Sequence, residues 1–391
     1  MFVKTRLMTP GPTQVAEATR IALGSSHPHH RGDEFKQTFM RVQQGLSWLW
    51  ETEQVLLVTG SGTAGMEAAM RSTIPRGARI AVATGGKFAD RWLAIAQSMS
   101  SEVVVLDVEY GRSASAEDLR AKLVSEAPLD AFVCVASETS TGALHPIPEL
   151  CDVVRAHSPD ALTVIDGITA VGCVDLSMSR HAIDVLVSGS QKAFGVPPGA
   201  AFVGMSERAW DATERADAGS FYLDLRRERG QASAKTAFTP TIPVVLGLVP
   251  VLEQWQAAGR KELLAHSAAL ATATRAAVAA LGLERFARDT PSPALTSVTI
   301  PEIIGAERLR TRMREQYGCS VVGGQDAMKD RILRLGHLGA VDAFDVISMV
   351  SALELALRDF GHGVEVGVGV AAALASLAQP LSASRSALYA P

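Results

Sequence analysis

The stretch LVSGSQKAFGVPPG, residues 186–199, decides the reading of this chain. An apolar run ends in small polar residues, Lys192 follows, and two glycines and two prolines then stop the backbone from settling into a helix. That is the carboxyl end of a buried strand opening into a rigid loop. A lysine placed there must either escape to water or be held for a chemical purpose.

Similar apolar runs recur on both sides of it: QVLLVT (54–59), RIAVAT (79–84), EVVVLDV (102–108), AFVCVAS (131–137), LTVIDG (162–167), DVLVSGS (184–190) and AFVGM (201–205). Continuous β-branched runs read as strands buried on both faces. Amphipathic segments between them, such as AEDLRAKLVSEA (116–127) and IPELCDVVRAHS (147–158), read as crossover helices, so the sheet is expected to be mostly parallel and the class α/β. The pattern changes near residue 245. A long helix is expected from the 250s through residue 282, then strands at LTSVTI (295–300) and RILRLG (331–336), then a helix over 342–361. The expected organisation is an amino-terminal arm over 1–20, a large α/β domain over 21–245, and a long linking helix with a small α+β domain over 246–391. The Ala, Gly and Ser rich end reads as a helix followed by a loose tail.

With 391 residues, 47% of them hydrophobic and 20% charged, the chain is large enough for more than one core. A formal net charge of -4 gives no basic field for nucleic acid, which leaves small-molecule chemistry as the expectation. Cys134, Cys151, Cys173 and Cys319 form no C-x-x-C pair, which fits a reducing cytoplasm rather than a zinc site or a disulfide framework. No segment reads as a signal peptide or membrane anchor. HPHHRGDEF (27–35) holds three histidines without a metal-ligand pattern, so no metal is expected.

Three features carry chemistry. VTGSGTAGMEAAM (58–70) sets glycines between a strand and a helix, where free N–H groups bind an anion, although most such turns are only turns. VIDG places Asp166 at a strand's carboxyl end, where open α/β sheets gather ligands; a simple helix cap is the plainer reading. Lys192 follows by about one helix and one strand, so both groups face one crevice. A desolvated lysine has a lowered pKa and offers a neutral amine for a Schiff base, against the common fate of a surface loop lysine. A phosphate turn, an acid for a ring nitrogen and a Schiff-base lysine together specify pyridoxal 5'-phosphate.

At this point the sequence resembles the class V aminotransferases of fold type I, closest to the alanine-glyoxylate and serine-glyoxylate aminotransferases. The resemblance runs from TPGPT (9–13) through GSGTAGMEAA, ETSTG (138–142), VIDGITAVG and SGSQKAFGVPPG to LRLGHLG (333–339). It implies that Lys192 carries the cofactor and that Asp166 holds its ring nitrogen protonated. Ser61, Gly62, Thr63 and Gln191 would hold the phosphate, and Phe88 would stack on the ring where relatives often have tryptophan. Thr139 would bond near the ring hydroxyl, and Thr241 would reach the phosphate of a neighbouring subunit in a homodimer with shared sites. Phe238 stands where relatives commonly have a tyrosine that also touches this phosphate. Arg334 would grip the substrate carboxylate, with Arg331 as its rival, and His30 and Arg31 would lie on a loop near the entrance to the site.

The implied reaction moves an amino group from alanine or serine to glyoxylate or pyruvate. Two alternatives stand beside it. A desulfurase or lyase acting on a cysteine derivative would typically carry histidine before the lysine, where Gln191 stands here. A non-catalytic subunit retaining the fold would have no physical need for a buried lysine beside a buried aspartate.

Overall fold

A computed structural model of the chain describes residues 3–99 and 101–383. The seven apolar runs become seven strands of one sheet: β1 (Val55–Gly60), β2 (Arg79–Ala83), β3 (Glu102–Leu106), β4 (Ala131–Val135), β5 (Leu162–Asp166), β6 (Val185–Gly189) and β7 (Gly199–Met205). Their order across the sheet is β1-β7-β6-β5-β4-β2-β3. Only β7 runs antiparallel to its neighbours, β1 and β6; the remaining pairs are parallel.

Side chains of each strand alternate between two apolar layers. Leu56, Val58, Val185 and Val187 enter one cluster, whereas Val55, Leu57 and Leu186 enter the other. Both faces are therefore covered, which is why these strands read as unbroken apolar runs. Each fully buried side chain of this kind contributes about 1.5–3 kcal/mol of transfer free energy.

The carboxyl-terminal part forms a four-stranded antiparallel sheet from β8 (Glu284–Arg285), β9 (Leu295–Thr299), β10 (Val322–Gly323) and β11 (Ile332–Gly336), in the order β8-β9-β11-β10. A separate apolar cluster lies under it.

Three local expectations change. AFVCVAS ends as a strand at Val135, and Ser137–Glu138 pairs instead with Ala143–Leu144. The single long linking helix is two helices, Ile242–Ala258 and Arg260–Ala280. Gly259 separates them with φ 88°, a conformation that only glycine adopts without strain. The first of the two begins inside the expected large domain, because Thr241 and Pro243 start it. Arg260–Ala280 is long and apolar enough to cross a membrane by length and composition, yet its Leu270, Ala273, Ala277 and Val278 pack into the small core. After the expected helix Ala343–Asp359 comes a further one, Val368–Ala383; the loose tail beyond it falls outside the described residues.

The amino-terminal arm links the two sheets to the site. Arg6–Leu7 pairs with Cys319–Ser320, Gly336 donates its N–H to the Met8 carbonyl at 2.9 Å, and the chain then turns toward Lys192.

Candidate active site

Adjacent strands bring the acid and the amine together, since Asp166 at the end of β5 registers with Val187 in β6. Lys192 is buried at 8% exposure, and its Nζ donates to the Pro10 carbonyl at 3.0 Å. The loop that carries it is pinned by the arm: Thr13 Oγ1 donates to the Lys192 carbonyl at 2.8 Å and Thr13 N–H to the Gln191 carbonyl at 3.2 Å. Gly11 fits here because its φ is 127° and because a Cβ on it would stand 2.5 Å from Lys192 Nζ.

The glycine turn leads from β1 into α1 (Gly62–Thr73), whose first N–H groups have no partner inside the helix. Ser61 is its exposed N-cap. A side chain at Gly62 would meet Ile168 Cδ1 at 2.7 Å, so only bare backbone lets the turn approach the Asp166 segment this closely. Gln191 Oε1 is buried without a hydrogen-bond partner and lies 3.1 Å from the position of a Cβ on Gly189, a position 3.8 Å from the Gly62 Cα. Toward a phosphate this amide would have to present its NH2, because Oε1 can only accept.

Helix α2 (Lys87–Ser98) was the least anticipated contributor. Phe88, Arg91 and Trp92 stand at i, i+3 and i+4, which share one face. Lys192 Nζ sits 5.9 Å from the centroid of the Phe88 ring, so that ring borders the space above the amine. Arg91 Nη1 donates to Thr63 Oγ1 at 3.0 Å, and Trp92 Nε1 donates to Asp166 Oδ2 at 2.8 Å. The other Asp166 oxygen accepts from Ile168 N–H at 2.8 Å, so the aspartate also serves as the local turn cap considered from sequence.

Glu138 fixes the start of this helix. It is fully buried and accepts from Phe88 N–H at 3.2 Å and Ala89 N–H at 3.1 Å, while its other oxygen takes Ser140 N–H and Oγ. An anion at a helix amino terminus is favourable. Nothing beyond its place in ETSTG marked Glu138, and Trp92 and Arg91 were findable only as the helical neighbours of Phe88.

Arg334 in β11 points inward, with Nε donating to the Gly323 carbonyl at 2.9 Å and Nη1 to the Thr139 carbonyl at 3.2 Å. Arg331 is exposed. Thr139 Oγ1 pairs with Thr169 Oγ1. Among the described residues, Lys192 and Arg334 are the only buried lysine and arginine. Burial, then the neighbouring Arg334 guanidinium, brings the Lys192 pKa down to about 8, and burial lowers Arg334 to about 10. Burial raises the Asp166 pKa above its ordinary value, against the Trp92 and Ile168 N–H groups and the Lys192 and Arg91 charges, which lower it.

Thr241 sits at the amino end of Ile242–Ala258, its Oγ1 3.6 Å from the position of a Cβ on Gly199, the residue registered with Gly60 of the turn. Phe238 packs 4.8 Å from the ring of Tyr222, whose hydroxyl donates to the Thr59 carbonyl at 3.2 Å. A tyrosine hydroxyl thus lies beside the turn, on a residue other than the one expected. His30 packs against His29 at 4.7 Å between ring centroids, and Arg31 is exposed; no hydrogen bond among the described residues ties either to Lys192, Asp166 or Arg334.

The donor set therefore fits pyridoxal phosphate: an anion turn, a planar ring and a buried acid are tied together through α2, and the buried amine sits near that ring. The pattern of the aminotransferase class-V family matches residues 13–340. The soluble hydrogenase small subunit of Synechococcus sp. (strain PCC 6716) is 37% identical over 95% of this chain and 97% of its own. The serine–glyoxylate aminotransferase of Hyphomicrobium methylovorum is 28% identical over 99% of this chain and 98% of its own. Among solved structures, the subgroup IV aspartate aminotransferase of Thermus thermophilus superposes with a TM-score of 0.85 at 31% identity, covering 91% of this chain and 99% of that one. The chain belongs to the class-V aminotransferases, pyridoxal-phosphate enzymes of fold type I.

Proposed function

We propose that this aminotransferase moves the amino group of alanine or serine to glyoxylate or pyruvate. The observation that carries the proposal is the pair of buried cations: one amine for the cofactor and one guanidinium, Arg334, for one carboxylate. A monocarboxylate donor uses both. The serine–glyoxylate relative supports the same choice.

When bound, pyridoxal phosphate supplies an electron-withdrawing ring that makes the donor's α-proton removable and carries the amino group to the acceptor. Lys192 Nζ would hold the cofactor and would serve as the acid and base that moves the donor's α-proton. In the cofactor-free protein, burial and the Arg334 charge bring its pKa down to about 8. Asp166 would accept from the ring N–H and keep the ring positive. Phe88 would stack on the ring, Thr139 would bond beside its hydroxyl, and Ser61, Gly62, Thr63 and Gln191 would hold the phosphate. Arg334 orients the substrate by bidentate pairing with its carboxylate.

The active unit is a homodimer in which Thr241 reaches the partner's phosphate, and a cytoplasmic location suits four unpaired thiols. Desulfuration is disfavoured because all four cysteines are buried, and burial raises Cys134 well above its usual value and lifts Cys173 to about 11 and Cys151 and Cys319 to about 12. Such thiols stay protonated and are poor nucleophiles. The test is a screen of single amino acids against the cofactor-loaded protein, following conversion of the yellow bound cofactor to its aminated form. Alanine or serine should convert it fastest. Fastest conversion by aspartate would overturn the substrate assignment, and formation of alanine from cysteine, with the sulfur passed to an added thiol that releases it as sulfide, would favour the desulfurase.

A further inference from the structure

We propose that Trp92 is a positioning residue for the cofactor's ring nitrogen: its indole N–H orients the Asp166 carboxylate and holds it in the ionised form that the nitrogen requires. This rests on the function proposed above, in which Asp166 meets that nitrogen.

A wholly buried tryptophan is ordinarily core, and Trp92, at 0% exposure among apolar neighbours, packs as core. Its polar atom does something more specific. Of all the acceptors along the sheet, Nε1 donates to the carboxylate at the carboxyl end of β5, at 2.8 Å. Ile168 N–H takes the other oxygen at the same distance. A carboxylate oxygen accepts along two lone-pair directions, so one N–H on each oxygen locks the plane of the group and still leaves acceptor capacity for a ring N–H. Both partners are donors, and donors favour the anion.

The need for such help is clear from the surroundings. Asp166 is 2% exposed, and burial drives it toward the neutral acid. A neutral acid would offer a proton to the ring nitrogen instead of accepting one, and the ring would lose the positive charge that makes it an electron sink. Trp92 also has a rigid base, because Glu138 anchors the first turn of α2 through Phe88 and Ala89. One helical face thus presents Phe88, the aromatic that borders the amine, and, one turn on, the donor to Asp166.

The test measures the affinity of cofactor-free protein for two ligands, pyridoxal phosphate and its analogue with carbon in place of the ring nitrogen. Trp92→Phe keeps an apolar ring and removes the donor; benzothienylalanine at position 92 keeps the full indole shape with sulfur in place of N–H, and so covers the case in which the phenylalanine variant folds poorly. Either should weaken pyridoxal phosphate binding about tenfold, the size expected for a hydrogen bond to a charged group, and leave the analogue's affinity unchanged. In an Asp166→Asn background the same replacement should change neither affinity. Trp92→His, which retains a ring N–H, should recover part of the loss.

Equal losses for both ligands, or a loss that persists in the Asp166→Asn background, would mean that Trp92 acts by packing alone and would overturn the proposal. A benzothienylalanine protein that binds both ligands as the parent does would overturn it too. If Asp166→Asn by itself leaves both affinities unchanged, the cofactor assignment at Asp166 fails first, an outcome distinct from failure of Trp92.

Discussion

Lys192 and Arg334 are site residues whose chemistry the surrounding protein alters, since burial lowers both of their pKa values. With its pKa brought to about 8, Lys192 in the cofactor-free protein should titrate near that pH, charged below it and neutral above. The Cε resonance of 13C-labelled lysine, assigned by its disappearance in Lys192→Ala, measures this; a midpoint above 10 would contradict the burial argument. Arg334→Ala removes one member of a desolvated charge pair with substrate and should lower kcat/KM by about 30-fold or more while cofactor content holds. Arg334→Lys should recover only part of it, because an ammonium lacks the bidentate fork. Arg331→Ala, at an exposed position, should leave kcat/KM near its parent value in the same assay. Lys192, Asp166 and Arg334 were legible in the sequence because each sits at a strand end or in a distinctive motif. Trp92 and Glu138 were not, since a tryptophan inside a helix carries no spacing signal and Glu138's role depends on the start of α2, about fifty residues earlier, whose N–H groups it accepts.

At the scale of elements, α2 and the amino-terminal arm set the site's geometry. Glu138→Ala would leave the N–H groups of Phe88, Ala89 and Ser140 without their buried acceptor. Unsatisfied buried donors cost about 1–3 kcal/mol each, so the variant should lose about 2 kcal/mol or more of stability in urea unfolding. Parental stability would mean that water replaces the carboxylate and that α2 needs no anchor. The strands were readable from their apolar runs because both sheet faces are covered. The arm was expected over residues 1–20, but its contacts were not readable. Among the described residues its regular pairing is Arg6–Leu7 with Cys319–Ser320, more than three hundred residues away, and its contact with Lys192 runs through a backbone carbonyl that no residue type advertises. The helix break at Gly259 was missed for a different reason, since a glycine within a helical pattern is more often tolerated than obeyed.

For the whole molecule, the change of pattern near residue 245 corresponds to a turnover into helix at Ile242, with the seven-stranded sheet before it and the four-stranded sheet after it. Thr241 stands at that turnover, and its proposed service to a partner is a claim about assembly. Lys192→Ala subunits mixed with subunits bearing a bulky replacement at Thr241, each inactive alone, should regain activity as hybrids. No recovery, with hybrids verified by mass, would leave each chain with its own complete site. The central claim, that this chain transfers amino groups through Lys192, is tested most directly by a single turnover. Cofactor-loaded protein is mixed with L-alanine alone, and both pyruvate and aminated cofactor are counted. The account predicts one equivalent of each per site in the parent protein and neither at a measurable rate in Lys192→Ala; pyruvate formed as fast by the alanine variant, or no conversion of the parent by any amino acid, would contradict it.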